Sequence, residues 1–144
     1  MHVGKFTRGL GLFQPCEYKE STEMPDENYP FILSTGRILY HYNASAMTDK
    51  SPGINRISSE SFVEINNRDA ANIGFQDGDM VKIISRRGQV CVKARVSSKT
   101  NPGQCWMPFH FLKGNANVLT IDSLDEICST PEYKVCAVKI EKIN

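Results

Sequence analysis

The segment from Phe62 to Val96, FVEINNRDAANIGFQDGDMVKIISRRGQVCVKARV, decides the fold. Phe62-Val63-Glu64-Ile65 reads as a short strand. Asn66 follows at a helix N-cap position, where its side chain can accept from a free backbone N–H, and Asp69 stands three residues on. Ala70, Ala71 and Ile73 continue that helix and Gly74 stops it. Phe75-Gln76-Asp77-Gly78-Asp79 is a tight turn with its glycine. Met80 to Ser85 returns as a strand, with Val81 and Ile83 inward and Ile84 a further candidate. Arg86-Arg87-Gly88-Gln89 is a hairpin turn, with Gly88 expected at φ > 0 and both arginines expected in solvent. Val90, Val92, Ala94 and Val96 then alternate with Cys91, Lys93 and Arg95, the period-two pattern of a half-buried strand.

Strand, Asn-capped helix, glycine stop, Asp-Gly-Asp turn, strand, hairpin, strand is the order of one half of a double-psi β-barrel. Periodicity alone does not separate that from a small sandwich. The flanking segments keep the chain mainly β with short helices. Tyr29 to Leu33 is an apolar strand expected to be buried on both faces, and Asp49 to Ser59, with Pro52-Gly53, reads as a loop. Asn101-Pro102-Gly103 is a turn, Cys105 to Phe109 a short strand, and His110 to Thr120 an irregular polar segment. Asp122 to Cys128 has the composition of one or two helical turns, and Tyr133 to Ile143 is the closing strand. Residues 1–28 form an extended N-terminal arm and residues 29–144 the barrel domain. Within the arm, Phe13-Gln14-Pro15 has the character of a docked strand.

A chain of 144 residues is one domain by size and long enough to bury its own core. A net charge of +1 provides no global field for nucleic acid or a membrane surface, so an anionic ligand must be held locally. A nucleic-acid-binding barrel would need a basic face with interleaved aromatics. No apolar run approaches the roughly 20 residues of a membrane span, and no basic-then-apolar leader opens the chain. The five cysteines, Cys16, Cys91, Cys105, Cys128 and Cys136, are odd in number and never spaced Cys-x-x-Cys. That argues against a disulfide framework and a self-contained metal or iron–sulfur site. Cys91, Cys105 and Cys136 read as free thiols of a reduced core, which favours the cytoplasm.

The chemistry-bearing stretch is Phe31 to Thr48, FILSTGRILYHYNASAMT. An apolar strand runs into Ser34-Thr35-Gly36-Arg37, which places backbone N–H groups, two hydroxyls and a guanidinium at one strand end. Glycine permits close approach to a ligand, and the Arg fork suits phosphate or a planar heterocycle with paired acceptors. A strand-end site for a phosphorylated, nucleotide-like ligand is the reading.

The runs YPFILSTGRILYHYNASAMT, FVEINNRDAANIGFQDGDMVKIISRRGQVCVKARV, PGQCWMPFHF, GNANVLT and TPEYKVCAVKIEKI together resemble one module over about residues 15 to 143. It is the C-terminal molybdopterin-dinucleotide-binding domain of molybdenum or tungsten formate dehydrogenases, within the dimethyl-sulfoxide-reductase-type oxidoreductases. The resemblance implies a double-psi β-barrel of the aspartate-decarboxylase-like kind. It implies a bis-molybdopterin guanine dinucleotide cofactor carrying Mo or W, which this domain covers and orients. The metal ligand, the catalytic residues and the iron–sulfur cluster belong, in the resembling enzymes, to domains with no counterpart here. The chain is therefore expected to be part of a longer catalytic chain, inactive alone, with that chain's other domains and electron-transfer subunits as partners. A stand-alone cofactor-binding subunit, or a domain of another molybdopterin oxidoreductase such as a nitrate reductase, is the alternative.

By position within matching motifs, the resemblance assigns cofactor contacts to Ser34, Thr35, Gly36 and Arg37 at the first strand end, and to His41. A structural role for His41, bonding backbone, is the competing reading. Where some relatives carry an acid after the Arg this chain has Ile38, so that contact does not transfer. Phe109 and His110 match a position beside the pterin, although Phe109 offers packing and no hydroxyl. Asn117 matches an asparagine bonding the cofactor, its amide supplying donor and acceptor together. Tyr133 and Lys134 match a pair closing over the pterin. No residue is assigned to catalysis or to a metal.

Overall fold

A computed structural model describes residues 3–143. Met1 and His2 of the expected arm, and Asn144 of the expected domain, lie outside the described residues. Six strands, β1 (Phe31–Gly36), β2 (Phe62–Asn66), β3 (Met80–Ile84), β4 (Gln89–Ser97), β5 (Gln104–Pro108) and β6 (Cys136–Lys142), close into a barrel in the order β1-β5-β2-β4-β3-β6. Helix α1 (Pro52–Ile57) lies between β1 and β2, and α2 (Asn67–Ile73) between β2 and β3. The pairs β1/β5 and β2/β4 are parallel and the other four antiparallel. Exchanging β1, β2, β3 for β4, β5, β6 leaves this ring and its parallel pairs unchanged. Two interlocked three-strand halves related in that way are a double-psi barrel. Closure leaves no unpaired edge.

The inward positions fill the barrel. Leu33, Val63, Ile65, Val81, Ile83, Met107 and Val138 are fully buried. In β4 the expected alternation holds, with Val90, Val92 and Ala94 inside. Helix α2 is capped as its sequence requires: Asn66 Oδ1 accepts from Arg68 N at 3.0 Å, and Gly74 ends the helix at φ 90°. Asp69 does not reach back to the cap. Its buried carboxylate accepts from Gly103 N at 2.8 Å, tying the helix to the turn before β5.

Several expectations fail for identifiable reasons. Pro52-Gly53 opens helix α1 instead of a loop, because proline at the first helical position has no N–H to leave unpaired. Asp122 to Cys128 is not helical; Asp125 Oδ1 accepts from Ile127 N and Cys128 N, a local turn that competes with helix. The closing strand starts at Cys136, and Phe31 and Ile32 are only half-buried. Gly88 lacks a positive φ; a Cβ there would lie 2.6 Å from Val118 Cγ1, so glycine is needed for close packing. Cys105 and Cys136 are buried thiols, but Cys91 faces solvent on the outer side of β4. Burial pushes the Cys136 thiol up to about 11.

The arm departs from expectation in the same way. Residues 3–20 are exposed, Phe13 at 98%, so Phe13-Gln14-Pro15 is not a docked strand. Docking begins at Ser21, and its anchors are the arginines expected in solvent. Arg87 forks onto Glu23 at 2.6 and 2.8 Å, and Arg86 reaches Glu23 and Asp26 and stacks over the Tyr29 ring.

Candidate functional site

The register brings the ends of the two parallel strands together, with Gly36 of β1 opposite Pro108 of β5. Strand β6 runs antiparallel to β1, so the residues before it, Tyr133 and Lys134, arrive at the same end. Three of the segments singled out in the sequence therefore meet at one mouth of the barrel. Direct contacts hold them there. Thr35 Oγ1 donates to Tyr133 O at 2.7 Å, Lys134 Nζ donates to Thr35 O at 2.6 Å, and Phe109 N donates to Gly36 O at 3.3 Å.

Arg37 stands at the exposed rim. Its Nε and Nη2 donate to Asn43 Oδ1 at 3.2 and 3.0 Å, and its guanidinium lies 5.7 Å from the Phe109 ring centre. Asn43 and Ser45 have φ values of 48° and 57°, a left-handed kink that turns the loop back toward the barrel. Ser45 Oγ then donates to His110 O at 2.8 Å, joining the loop after β1 to the one after β5. Among the described residues, no carboxylate lies within ion-pair distance of Arg37 or Lys134.

The two histidines behave differently. His41 is buried and bonded on both nitrogens, to Thr48 Oγ1 at 3.0 Å and to Ser58 O at 2.8 Å. A carbonyl only accepts, so Nε2 carries a proton; in the neutral ring Nδ1 accepts from the Thr48 hydroxyl. Both His41 nitrogens are thus engaged within the chain, between the loop after β1 and the segment before β2. His110 is 1% exposed and neither ring nitrogen has a partner. It sits among aromatic rings, with centroids 4.6 Å from Phe111 and 5.1 Å from His41. Burial pushes its pKa down to about 4, with the neighbouring His41 a second cause, so His110 is neutral at pH 7.

Asn117 lies apart from the Thr35–Arg37 group. It occupies the 3₁₀ turn Ala116–Val118, where Asn115 Oδ1 accepts from Asn117 N at 3.0 Å. That turn packs against the β3–β4 hairpin through Val118 and Gly88. The Asn117 side chain is exposed, and among the described residues its amide makes no hydrogen bond; the same is true of the Tyr133 hydroxyl. Gly36 also differs from expectation. The space above it holds the Trp106 indole, with Nε1 2.6 Å from where a Cβ would sit.

Among the described residues, the mouth therefore offers two cations without carboxylate partners, a phenol hydroxyl and the Phe109 ring, and the separate 3₁₀ turn offers the exposed Asn117 amide. This donor-rich, carboxylate-free set fits a ligand that is anionic and rich in acceptors. Among the described residues no three His, Cys, Asp or Glu side chains gather as metal ligands, and no helix is long and apolar enough to cross a membrane. Sequence reasoning missed the Glu23–Arg87 contact, because Glu23 lies in no motif and Arg87 occupies a hairpin tip that local rules place in solvent.

Comparison with known proteins places the chain in a family. The family model described as "Molydopterin dinucleotide binding domain" matches residues 31–137. The F420-dependent formate dehydrogenase subunit alpha of Methanocaldococcus jannaschii is 48% identical over 99% of this chain and 22% of its own length. A nitrate reductase of Symbiobacterium thermophilum is 45% identical over 93% of this chain and 18% of its own. Formate dehydrogenase H of Escherichia coli is 34% identical over 94% and 19%. The chain thus spans about a fifth of the length of these relatives. The acetylene hydratase of Pelobacter acetylenicus shares the fold at a TM-score of 0.71 and 14% identity, over 80% of this chain and 18% of its own. With a family model matching most of its length and the barrel mouth built as described, the chain belongs to the molydopterin dinucleotide binding domain family.

Proposed function

We propose that this domain holds the bis-molybdopterin guanine dinucleotide of a cytoplasmic molybdenum or tungsten formate dehydrogenase. The observation that carries the reading is the convergence of Ser34–Arg37, Phe109 and Tyr133–Lys134 at one barrel mouth, with cations that no carboxylate pairs among the described residues. When bound, the metal and pterins supply the two-electron chemistry that interconverts formate and CO₂. This chain's residues bind and orient. Arg37 spends two N–H groups on Asn43 and keeps the rest of its fork for phosphate or a pterin acceptor. Lys134 adds charge, and the Tyr133 hydroxyl and Asn117 amide supply donors. Phe109 packs beside Arg37, while the Ser34–Gly36 backbone forms the floor. His110 stays buried and neutral among the rings of Phe111 and His41, and His41 braces the loop.

The remaining domains of the catalytic chain complete the cofactor pocket and carry the iron–sulfur cluster, with separate electron-transfer subunits beyond them. The domain alone does not turn over. A second reading, a nitrate reductase domain, is favoured by the Symbiobacterium thermophilum relative at 45% identity. Assaying the full-length protein with formate and with nitrate separates the two. Cofactor holding is tested by metal and pterin content of the full-length protein carrying both Arg37→Ala and Tyr133→Ala. Loss of most of the cofactor is expected. Wild-type occupancy in the double variant overturns the reading.

A further inference from the structure

Thr22 and Glu23 of the arm grip the segment that carries Tyr133 and Lys134 from both sides. Thr22 N donates to Glu132 Oε2 at 3.3 Å, one residue before Tyr133. Glu23 Oε1 accepts from Ala137 N at 2.7 Å, three residues after Lys134. The same carboxylate takes the bidentate Arg87 fork, and Arg87 Nε donates to Leu119 O at 3.0 Å. Leu119 is fully buried and ends the 3₁₀ turn that carries Asn117. One partly shielded carboxylate thus joins the arm, the β3–β4 hairpin, the Asn117 turn and the start of β6. Its side chain is only 14% exposed, and the fork of Arg87 holds its pKa below the ordinary carboxylate value.

We infer that Glu23 and Arg87 are positioning residues: the arm is a clasp that sets Tyr133–Lys134 and Asn117 over the dinucleotide. The inference rests on the cofactor-holding reading above. Neither residue touches the ligand. An ordinary surface ion pair would join two elements that already pack together. This one spans four, and two of them carry proposed ligand contacts. Only a forked cation can serve both carboxylate oxygens while spending Nε on Leu119, so lysine cannot replace Arg87.

The test compares full-length holoenzyme as wild type, Glu23→Gln, Arg87→Lys and Arg37→Ala. Three readouts are used: the rate of dinucleotide loss in dilute buffer, amide exchange over residues 116–119 and 132–137, and kcat and KM for formate per bound metal. Glu23→Gln and Arg87→Lys are expected to speed dinucleotide loss by about tenfold and raise exchange in those two segments alone. They are also expected to lower kcat with KM for formate unchanged, because formate binds in other domains. Arg37→Ala is expected to speed dinucleotide loss without changing exchange at residues 116–119. If Arg37→Ala loosens the dinucleotide and the clasp variants do not, the clasp is overturned and cofactor holding stands. If Arg37→Ala has no effect either, the reading beneath the clasp fails with it. A uniform rise in exchange across the barrel also overturns the clasp, since that is the mark of general destabilisation.

Discussion

Replacing Gly36 by alanine tests how the Thr-Gly-Arg turn is built. The added Cβ would lie 2.6, 2.8 and 2.9 Å from three atoms of the Trp106 indole, all closer than real side-chain carbons come. Gly36 is not in the left-handed region, so backbone strain makes no contribution. The indole cannot simply swing aside. It packs against the Phe62 ring at 5.8 Å, and Phe62 is covered by the Arg95 guanidinium at 3.6 Å. Overpacking of this kind costs about 1–3 kcal/mol. Alanine recovers about 0.4–1 kcal/mol by restricting the unfolded chain. The expected net loss is about 1–2 kcal/mol, or a few degrees in Tm. Denaturant midpoints of the 144-residue chain measure it. A second background separates packing from other causes: in Trp106→Leu, which removes the indole, Gly36→Ala should cost nothing or stabilise. An unchanged midpoint for Gly36→Ala in the wild-type background would refute the packing account. So would an equal cost in both backgrounds, which would place the requirement for glycine in the backbone.

Three further outcomes follow from the same geometry. His110 titrates near 4 in the fold and near 6.5 when unfolded, so the unfolded chain takes up the proton first. Stability is therefore lost progressively as pH falls from 6.5 toward 4; His110→Phe should abolish that acid-side loss while leaving the midpoint at pH 7 equal or higher, and unfolding curves at several pH values check both. Asn66→Ala removes the cap of α2 and the bond from Asn66 Nδ2 to Thr100 O, and is expected to cost about 1–2 kcal/mol by thermal unfolding. Leu33→Ala empties a fully buried site at the centre of β1 and is expected to cost about 2–5 kcal/mol, enough to broaden or abolish the cooperative transition.

Much of the barrel was legible because its signals are local. The Asn66 cap and the Gly74 stop act within one helical turn, and the β4 alternation follows from side chains facing opposite sides of a strand. The strand end at Ser34–Arg37 was legible for a similar reason: the apolar run breaks into small residues, a glycine and a cation within four positions. What local rules could not show was which partners each polar side chain would find. Arg86 and Arg87 sit on a hairpin tip, a solvent position by local rules, until an arm 60 to 64 residues earlier in the chain reaches them. His41 offered two nitrogens on paper, and Thr48 and Ser58 occupy both.

The sequence by itself determined the capped helix, the turns, the apolar alternation, the family resemblance and the address of the Thr-Gly-Arg turn. Those depend on residues a few positions apart, whose interactions survive in any fold that keeps the local chain. Only the tertiary structure decided which strand ends meet. Thr35 finds Tyr133 98 residues away and Thr22 finds Glu132 110 residues away, because the interlocked halves place β5 and β6 on either side of β1. It also decided that Gly36 makes room for Trp106, and that a carboxylate in an unremarkable arm joins four segments. Such contacts form between surfaces that exist only after the barrel has closed, and no local pattern encodes them.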